Sequence, residues 1–182
     1  QLLSVVVCFG IFKRKQSAWI SVLQNYKQGV VMSEIVITDS MQGEAYVEFV
    51  LDSKGSKNIQ KAQEFGFDGK GQFFLQEKKT LLVCIDGRHV DFVREAGANI
   101  ARFFKSLKFG SIGIKAFGDE ALDYALMLGI LAGWQDSGLY KSNKKEYALS
   151  KVYIQGDSAL GKVAKRAKIV AKSLYIVRDL VN

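Results

Sequence analysis

A chain of 182 residues that is 48% hydrophobic and 24% charged can bury a core of its own without disulfides or structural metals. Two cysteines and one histidine over that length have no ligand spacing for zinc, and Cys8 and Cys84, each inside an apolar run, read as small buried hydrophobes rather than a disulfide. The formal charge of +8 sits at the ends: residues 1–31 carry +4, residues 32–139 carry −3 and residues 140–182 carry +7, so the middle of the chain has no electrostatic reason to seek polyanions.

Residues 1–31 read poorly as structure. Gln1 to Phe12 is an apolar run well short of the roughly 20 residues that span a bilayer. Its cations, Lys13-Arg14-Lys15, follow the run instead of preceding it, the reverse of a secretory signal. A clean strand pattern begins after Met32. The expectation is therefore that Met32 is the natural start, that residues 1–31 are a leader outside the fold, and that no membrane is engaged.

From there strands and helices alternate. Glu34 to Thr38 and Ala45 to Leu51 read as strands, Lys57 to Phe65 as a modest helix closed by Gly66, and Gln72 to Gln76 as a strand. Thr80 to Ile85 is apolar without interruption, which predicts a strand buried on both faces. Val90 to about Lys108 is helical, with Val93, Ala96, Ile100, Phe103, Phe104 and Leu107 as its stripe. Ser111 to Lys115 is a strand. Asp119 or Glu120 then opens a helix to about Trp134 that is apolar almost all round and so must lie between other elements. Tyr140 to Glu146 is a basic loop, Lys151 to Ile154 a strand, and Asp157 or Ser158 caps a last helix striped by Leu160, Val163, Ala167, Val170 and Leu174. This order predicts an α/β domain, its sheet largely parallel or mixed, with helices on both faces.

No catalytic constellation emerges from this layout. His89 is the only candidate base, sits in a strand-to-helix connection, and has no Gly-x-Ser-x-Gly elbow to serve; a helix-start histidine is the better reading. Cys84 has no cationic neighbour to make it reactive. The acids Asp39, Glu44, Glu48, Asp52, Glu64 and Asp68 are scattered singly, whereas a two-metal hydrolase gathers its carboxylates. Gly69-Lys-Gly71 and Gly110-Ser-Ile-Gly113 are incomplete phosphate loops. Catalytic, cofactor-binding and metal-ligating residues are accordingly read as none. The basic end offers Lys144, Lys145, Lys162, Lys165, Arg166 and Lys168 as nucleic-acid contacts, against the plainer reading of a solvated helix face.

Arg178-Asp-Leu-Val-Asn182 resembles the segment that leads the catalytic domain of leucine (cytosol) aminopeptidases. The apolar helix with Gly129 and Trp134, the Tyr140-Lys141-Ser142 that follows, the strand at Val152-Tyr-Ile154 and the long last helix match that family's order over about residues 32–182. Leu128-Gly129 and Trp134 depart from the family's Glu-Gly and Tyr. The resemblance implies a macro-domain-like amino-terminal domain at 32–176, with 177–182 beginning a catalytic domain. It implies that the two divalent metals (zinc, manganese or magnesium) and the catalytic residues belong to that following domain. It further implies a cytoplasmic, hexameric parent enzyme that removes N-terminal residues from peptides, in which this domain supports assembly and access to the site. A free-standing macro-like module that binds a nucleotide or ADP-ribose is the alternative, with DNA binding through the basic end as a third.

Overall fold

The computed structural model describes residues 34–51, 57–134 and 147–181, the side chains of the last three excepted. The readings made for residues 1–31, Met32, Cys8, Asp52, the basic loop with Lys144 and Lys145, the side chains of the terminal motif beyond Arg178, and Asn182 lie outside the described residues.

Among the described residues six strands form one sheet: β1 (Glu34–Thr38), β2 (Ala45–Val50), β3 (Gln72–Leu75), β4 (Thr80–Cys84), β5 (Ser111–Lys115) and β6 (Lys151–Gln155). Their spatial order is β1-β6-β5-β2-β4-β3, with every pairing parallel except the β3–β4 hairpin. Among the described residues four helices accompany the sheet: α1 (Lys57–Glu64), α2 (Val90–Lys105), α3 (Glu120–Trp134) and α4 (Leu160–Val181). The expected α/β class, the mixed sheet and helices on both faces are all present.

Strand alternation sorts the two faces. Ile35, Ile37, Val152, Ile154, Ile112, Ile114, Ala45, Val47, Leu81 and Val83 point to one side, where α2, α3 and α4 close the main core over them. Val50, Leu75 and Leu82 point to the other side and pack with Ile59 and Ala62 of α1 and with Phe67. Leu81, Leu82 and Val83 are thus all buried, as the unbroken apolar run requires. Between β1 and β2 the chain crosses the second face, and it passes so close to β5 that a Cβ on Gly113 would stand 2.2 Å from the Gln42 carbonyl oxygen. Only glycine admits that crossing.

Helix α3 packs between α2 and α4, and its side chains are buried on every side from Leu122 to Trp134 apart from Tyr124 and Ala132. The α2–α3 contact is backbone against backbone: a Cβ on Gly129 would meet the Arg94 carbonyl oxygen at 2.1 Å. Helix α4 departs from its predicted stripe. Leu160, Val163 and Ala167 are buried as expected, but Ala171 and Tyr175 continue the stripe, while Val170 is half-buried and Leu174 is 43% exposed. The four-residue step carries the buried line onward to 171 and 175, since helix faces drift slowly against a fixed repeat. In α2 the fully buried aromatic is Phe104, whereas Phe103 and Leu107 are half-buried. Cys84 also differs from its reading as a buried hydrophobe, because it ends β4 half-exposed. Among the described residues no helix is long and apolar enough to cross a membrane.

Candidate functional site

In open parallel sheets ligands gather at the carboxyl ends of the strands, where connections diverge. Here that point lies between β5, whose chain continues through α3 to β6, and β2, whose chain continues through α1 toward β3 and β4.

The connection after β5, residues 116–119, turns on Gly118 at φ 73° and is fastened from inside by Asp123. The Phe117 amide donates to Asp123 Oδ1 at 2.7 Å, and the nearby Gly118 and Asp119 amides favour the charged carboxylate. Asp123 is 1% exposed, and its Oδ2 is buried with no protein partner. Burial outweighs the amides and holds this carboxyl above the ordinary carboxylate range. One step along, Asp119 Oδ1 accepts from the Ala121 and Leu122 amides and so caps α3. The neighbouring loops add to the same edge, with Arg88 Nη2 donating to the Phe117 carbonyl at 3.5 Å and the Phe49 and Phe117 rings 4.8 Å apart.

Two other described connections at this edge, those leading into α2 and α4, are self-capped too. His89 is the N-cap of α2, its Nδ1 accepting from the Asp91 amide at 3.3 Å, with a largely exposed ring. Asp157 accepts from the Ala159 amide ahead of α4, which fits the predicted cap. At these described connections a phosphate would compete with side chains already bound to the amides it needs.

The glycine pairs noted in the sequence do not build a cradle either. Gly69 and Gly71 take positive φ in the turn into β3. Gly110 lies at the opposite, amino end of β5, and its amide donates to Glu44 Oε2 at 3.0 Å.

Most remaining acids have tasks in holding the fold. Asn58 donates to Glu48, Lys61 pairs with Glu77, Arg94 with Asp91, and Arg166 with Glu120 at 3.2 Å. Among the described residues no three histidine, cysteine or acidic side chains converge on a point that could hold a metal. Glu48, Glu77, Asp91 and Glu120 each meet their partner at a separate place in the fold, whereas a two-metal site gathers its carboxylates. Of the proposed nucleic-acid contacts, Lys162, Lys165, Arg166 and Lys168 are all exposed on α4, but Arg166 is engaged, its guanidinium also lying 4.5 Å from the Tyr124 ring centroid.

A shallow cleft of about 190 Å³ opens at the end of β4, between Gly71-Gln72 and α2. Val83, Ile85 and Ala96 contribute its apolar side, Asp86 and Glu95 its charge, and Phe92 is 46% exposed beside them. Cofactor and drug-sized sites run to about 300–1,000 Å³, so this cleft suits a single side chain. Burial, then Asp68, then Asp86 raise the Cys84 thiol within it. Sequence reasoning passed over Asp123, although one signal was there: an acid on the inward side of the first turn, between Leu122 and Tyr124, in a helix otherwise apolar almost all round.

Comparison with known proteins gives this arrangement its relatives. No protein-family model matches the chain. A probable cytosol aminopeptidase of Helicobacter hepaticus is 38% identical over 125 residues, which is 66% of this chain and 26% of that protein. A second probable cytosol aminopeptidase, from Wolinella succinogenes, is 30% identical over 159 residues, covering 78% of this chain and 33% of the relative. The chain is a cytosol aminopeptidase relative. It spans about a quarter to a third of the length of the curated aminopeptidases it matches, an extent consistent with the family's amino-terminal domain. The fold has its own likenesses among solved structures. A tomato leucine aminopeptidase mutant superposes with a TM-score of 0.64 at 18% identity, over 82% of this chain and 38% of that one. The bottromycin maturation enzyme BotP, in a structure with manganese, superposes with a TM-score of 0.52 at 14% identity, over 82% of this chain and 32% of its own.

Proposed function

We propose that this chain is the non-catalytic amino-terminal domain of a leucyl-aminopeptidase-type metallopeptidase. The observation that carries the reading is the 38% identity to a cytosol aminopeptidase over a stretch that makes up only 26% of that protein. Release of N-terminal residues from peptides by metal-activated water, and the two divalent ions that would supply it, are assigned to the rest of the parent protein. No described residue is assigned to those ions, because among the described residues no three histidine, cysteine or acidic side chains converge on one point. The domain's task in this reading is to support assembly of a cytoplasmic homo-oligomer, a hexamer, and to shape access to the site. A macro-domain-like ancestry suits the sheet order, but the amides a nucleotide phosphate would use are held by Asp123 and Asp119. The metallopeptidase reading is therefore preferred to nucleotide or ADP-ribose binding.

The test is hydrolysis of a leucyl chromogenic substrate with manganese or zinc added. The 182-residue chain should be inactive, and the parent protein containing it should give chelator-sensitive release. Chelator-sensitive cleavage by the purified chain alone would overturn the proposal, as would a parent protein without aminopeptidase activity. Titration with ADP-ribose should give no saturable heat at micromolar concentration.

A further inference from the structure

The cleft at the end of β4 has a chemistry that the aminopeptidase reading leaves without a task. Helix α2 turns one face to it, with Phe92, Glu95, Ala96 and Asn99 following one another at three- and four-residue steps. Val83, Ile85 and Ala96, each at most 7% exposed, give it an apolar floor, and Phe92 stands half in solvent at its lip. Asp86 and Glu95 are exposed beside it, and neither forms an ion pair among the described residues. The Cys84 thiol in its wall is raised by burial and then by Asp68 and Asp86, so two acids bear on the interior. Gly71 and Gln72, where β3 begins, form the opposite wall. A Cβ on Gly71 would meet nothing within 4 Å, so that wall is low.

The strand at that wall is an edge. Among the described residues β3 pairs with β4 alone. The Cys84 amide donates to the Gly71 carbonyl at 2.8 Å, so Phe73 with Leu82 and Leu75 with Thr80 are the hydrogen-bonded pairs that follow. The amides and carbonyls of Gln72 and Phe74 therefore point away from β4, along the outer edge. Phe74 lies on the α2 face, against Phe103, Phe104 and Phe109, and Gln72, two residues earlier, shares that face.

We propose that this edge binds an extended peptide that adds a strand beside β3 and passes one arginine side chain over Gly71 into the cleft. Main-chain bonds to Gln72 and Phe74 hold such a peptide, and its alternate side chains fall on the α2 face. The arginine stem lies on the apolar floor while its head meets the carboxylates of Asp86 and Glu95. Arginine is favoured over lysine because a planar guanidinium stacks on the Phe92 ring and still presents its donors to two acids. The chain as a whole carries +8, so its net charge repels a basic peptide and the attraction has to be local. This binding is independent of the aminopeptidase reading, which stands if no such peptide binds.

The experiment is calorimetric titration of the 182-residue chain with capped peptides of sequence Thr-Val-X-Val-Thr, where X is arginine, lysine, citrulline or glutamate. The arginine peptide should bind saturably at or below millimolar concentration, and more weakly as salt rises. Citrulline keeps the shape and loses the charge, and should bind about tenfold more weakly or not at all. Lysine should fall between the two, and glutamate should not bind. Asp86→Asn/Glu95→Gln, both at exposed positions, should weaken the arginine peptide to the citrulline level and leave the citrulline peptide unchanged. N-methylating one alternate set of peptide amides should abolish binding and the other set should spare it, because only one side of the added strand faces β3. Amide shifts in the nitrogen–proton spectrum should centre on Gln72, Phe74 and Asn99. No saturation at millimolar concentration overturns the proposal, as do equal binding of arginine and citrulline, lysine binding as tightly as arginine, or both methylated sets being spared. Undiminished binding by the folded variant, checked by circular dichroism, or shifts confined to other residues equally overturn it. Should the variant fail to fold, the peptide series and the shifts on wild type decide alone.

Discussion

The Phe117 amide lies 2.7 Å from Oδ1 of Asp123, so a carboxylate inside the first turn of α3 holds the loop that precedes its own helix. Replacing Asp123 by Ala leaves the half-buried Phe117 amide without its acceptor and empties a buried position, and should destabilise the domain by about 1–3 kcal/mol. Asp123→Asn keeps an acceptor and should lose less. The two substitutions also separate charge from hydrogen bonding. Burial raises this carboxyl in the folded state, so between the ordinary carboxylate range and its folded value the native protein holds the extra proton. Wild-type stability should therefore fall as pH rises through that window, relative to Asp123→Asn. Urea unfolding at a series of pH values measures the difference, and a gap that is constant with pH would refute the assignment.

The α2–α3 contact should be far less tolerant than the glycine count implies. Gly129→Ala drives a methyl group into the Arg94 carbonyl and should cost about 2–3 kcal/mol through forced separation of the helices. Gly161→Ala, where the space beside the backbone is open, should stabilise by up to about 1 kcal/mol. Denaturant midpoints moving in opposite directions would bear out both.

Tyr175 is 1% exposed and its hydroxyl donates to the Leu131 carbonyl, tying α4 to α3. Tyr175→Phe should cost about 1 kcal/mol and Tyr175→Ala about 3–5 kcal/mol. Leu174→Ala, one position earlier and largely exposed, should change stability by less than about 0.5 kcal/mol. A comparable loss at 174 would mean that this face of α4 is covered in solution.

Cys84 should react sluggishly with a disulfide reagent at neutral pH, in a Cys8→Ser background that leaves one thiol. Its thiol is raised first by burial and next by Asp68, so the thiolate forms only at higher pH than in an ordinary cysteine. Asp68→Asn should shift the pH midpoint of labelling downward. Stopped-flow labelling across pH reads the shift directly.

The elements were legible wherever local chemistry and burial agree. The unbroken run Leu81-Leu82-Val83 could only be a central strand, and the all-round apolar α3 could only be enclosed. What escaped was set by packing at a distance. Leu174 and Tyr175 are adjacent, and both suit a helix core on hydrophobicity alone; which one faces α3 depends on a rotation accumulated over four turns. Asp123 was missed because its partners are backbone amides, which carry no signature in side-chain sequence. The family motif at residues 178–182 spoke to relatedness and was silent on the carboxyl edge, where the loop amides turn out to be held by the protein's own acids.

The pairing of β1 with β6 has a consequence for how the domain is made. Ile35 finds its neighbour only at Val152, so the first strand described must wait for over a hundred residues to be synthesised before its ladder forms. Contacts of such sequence separation slow folding, because chain closure precedes any gain from it. On the ribosome the central strands and their α2–α3 roof have everything they need early, and the β1 edge zips on last.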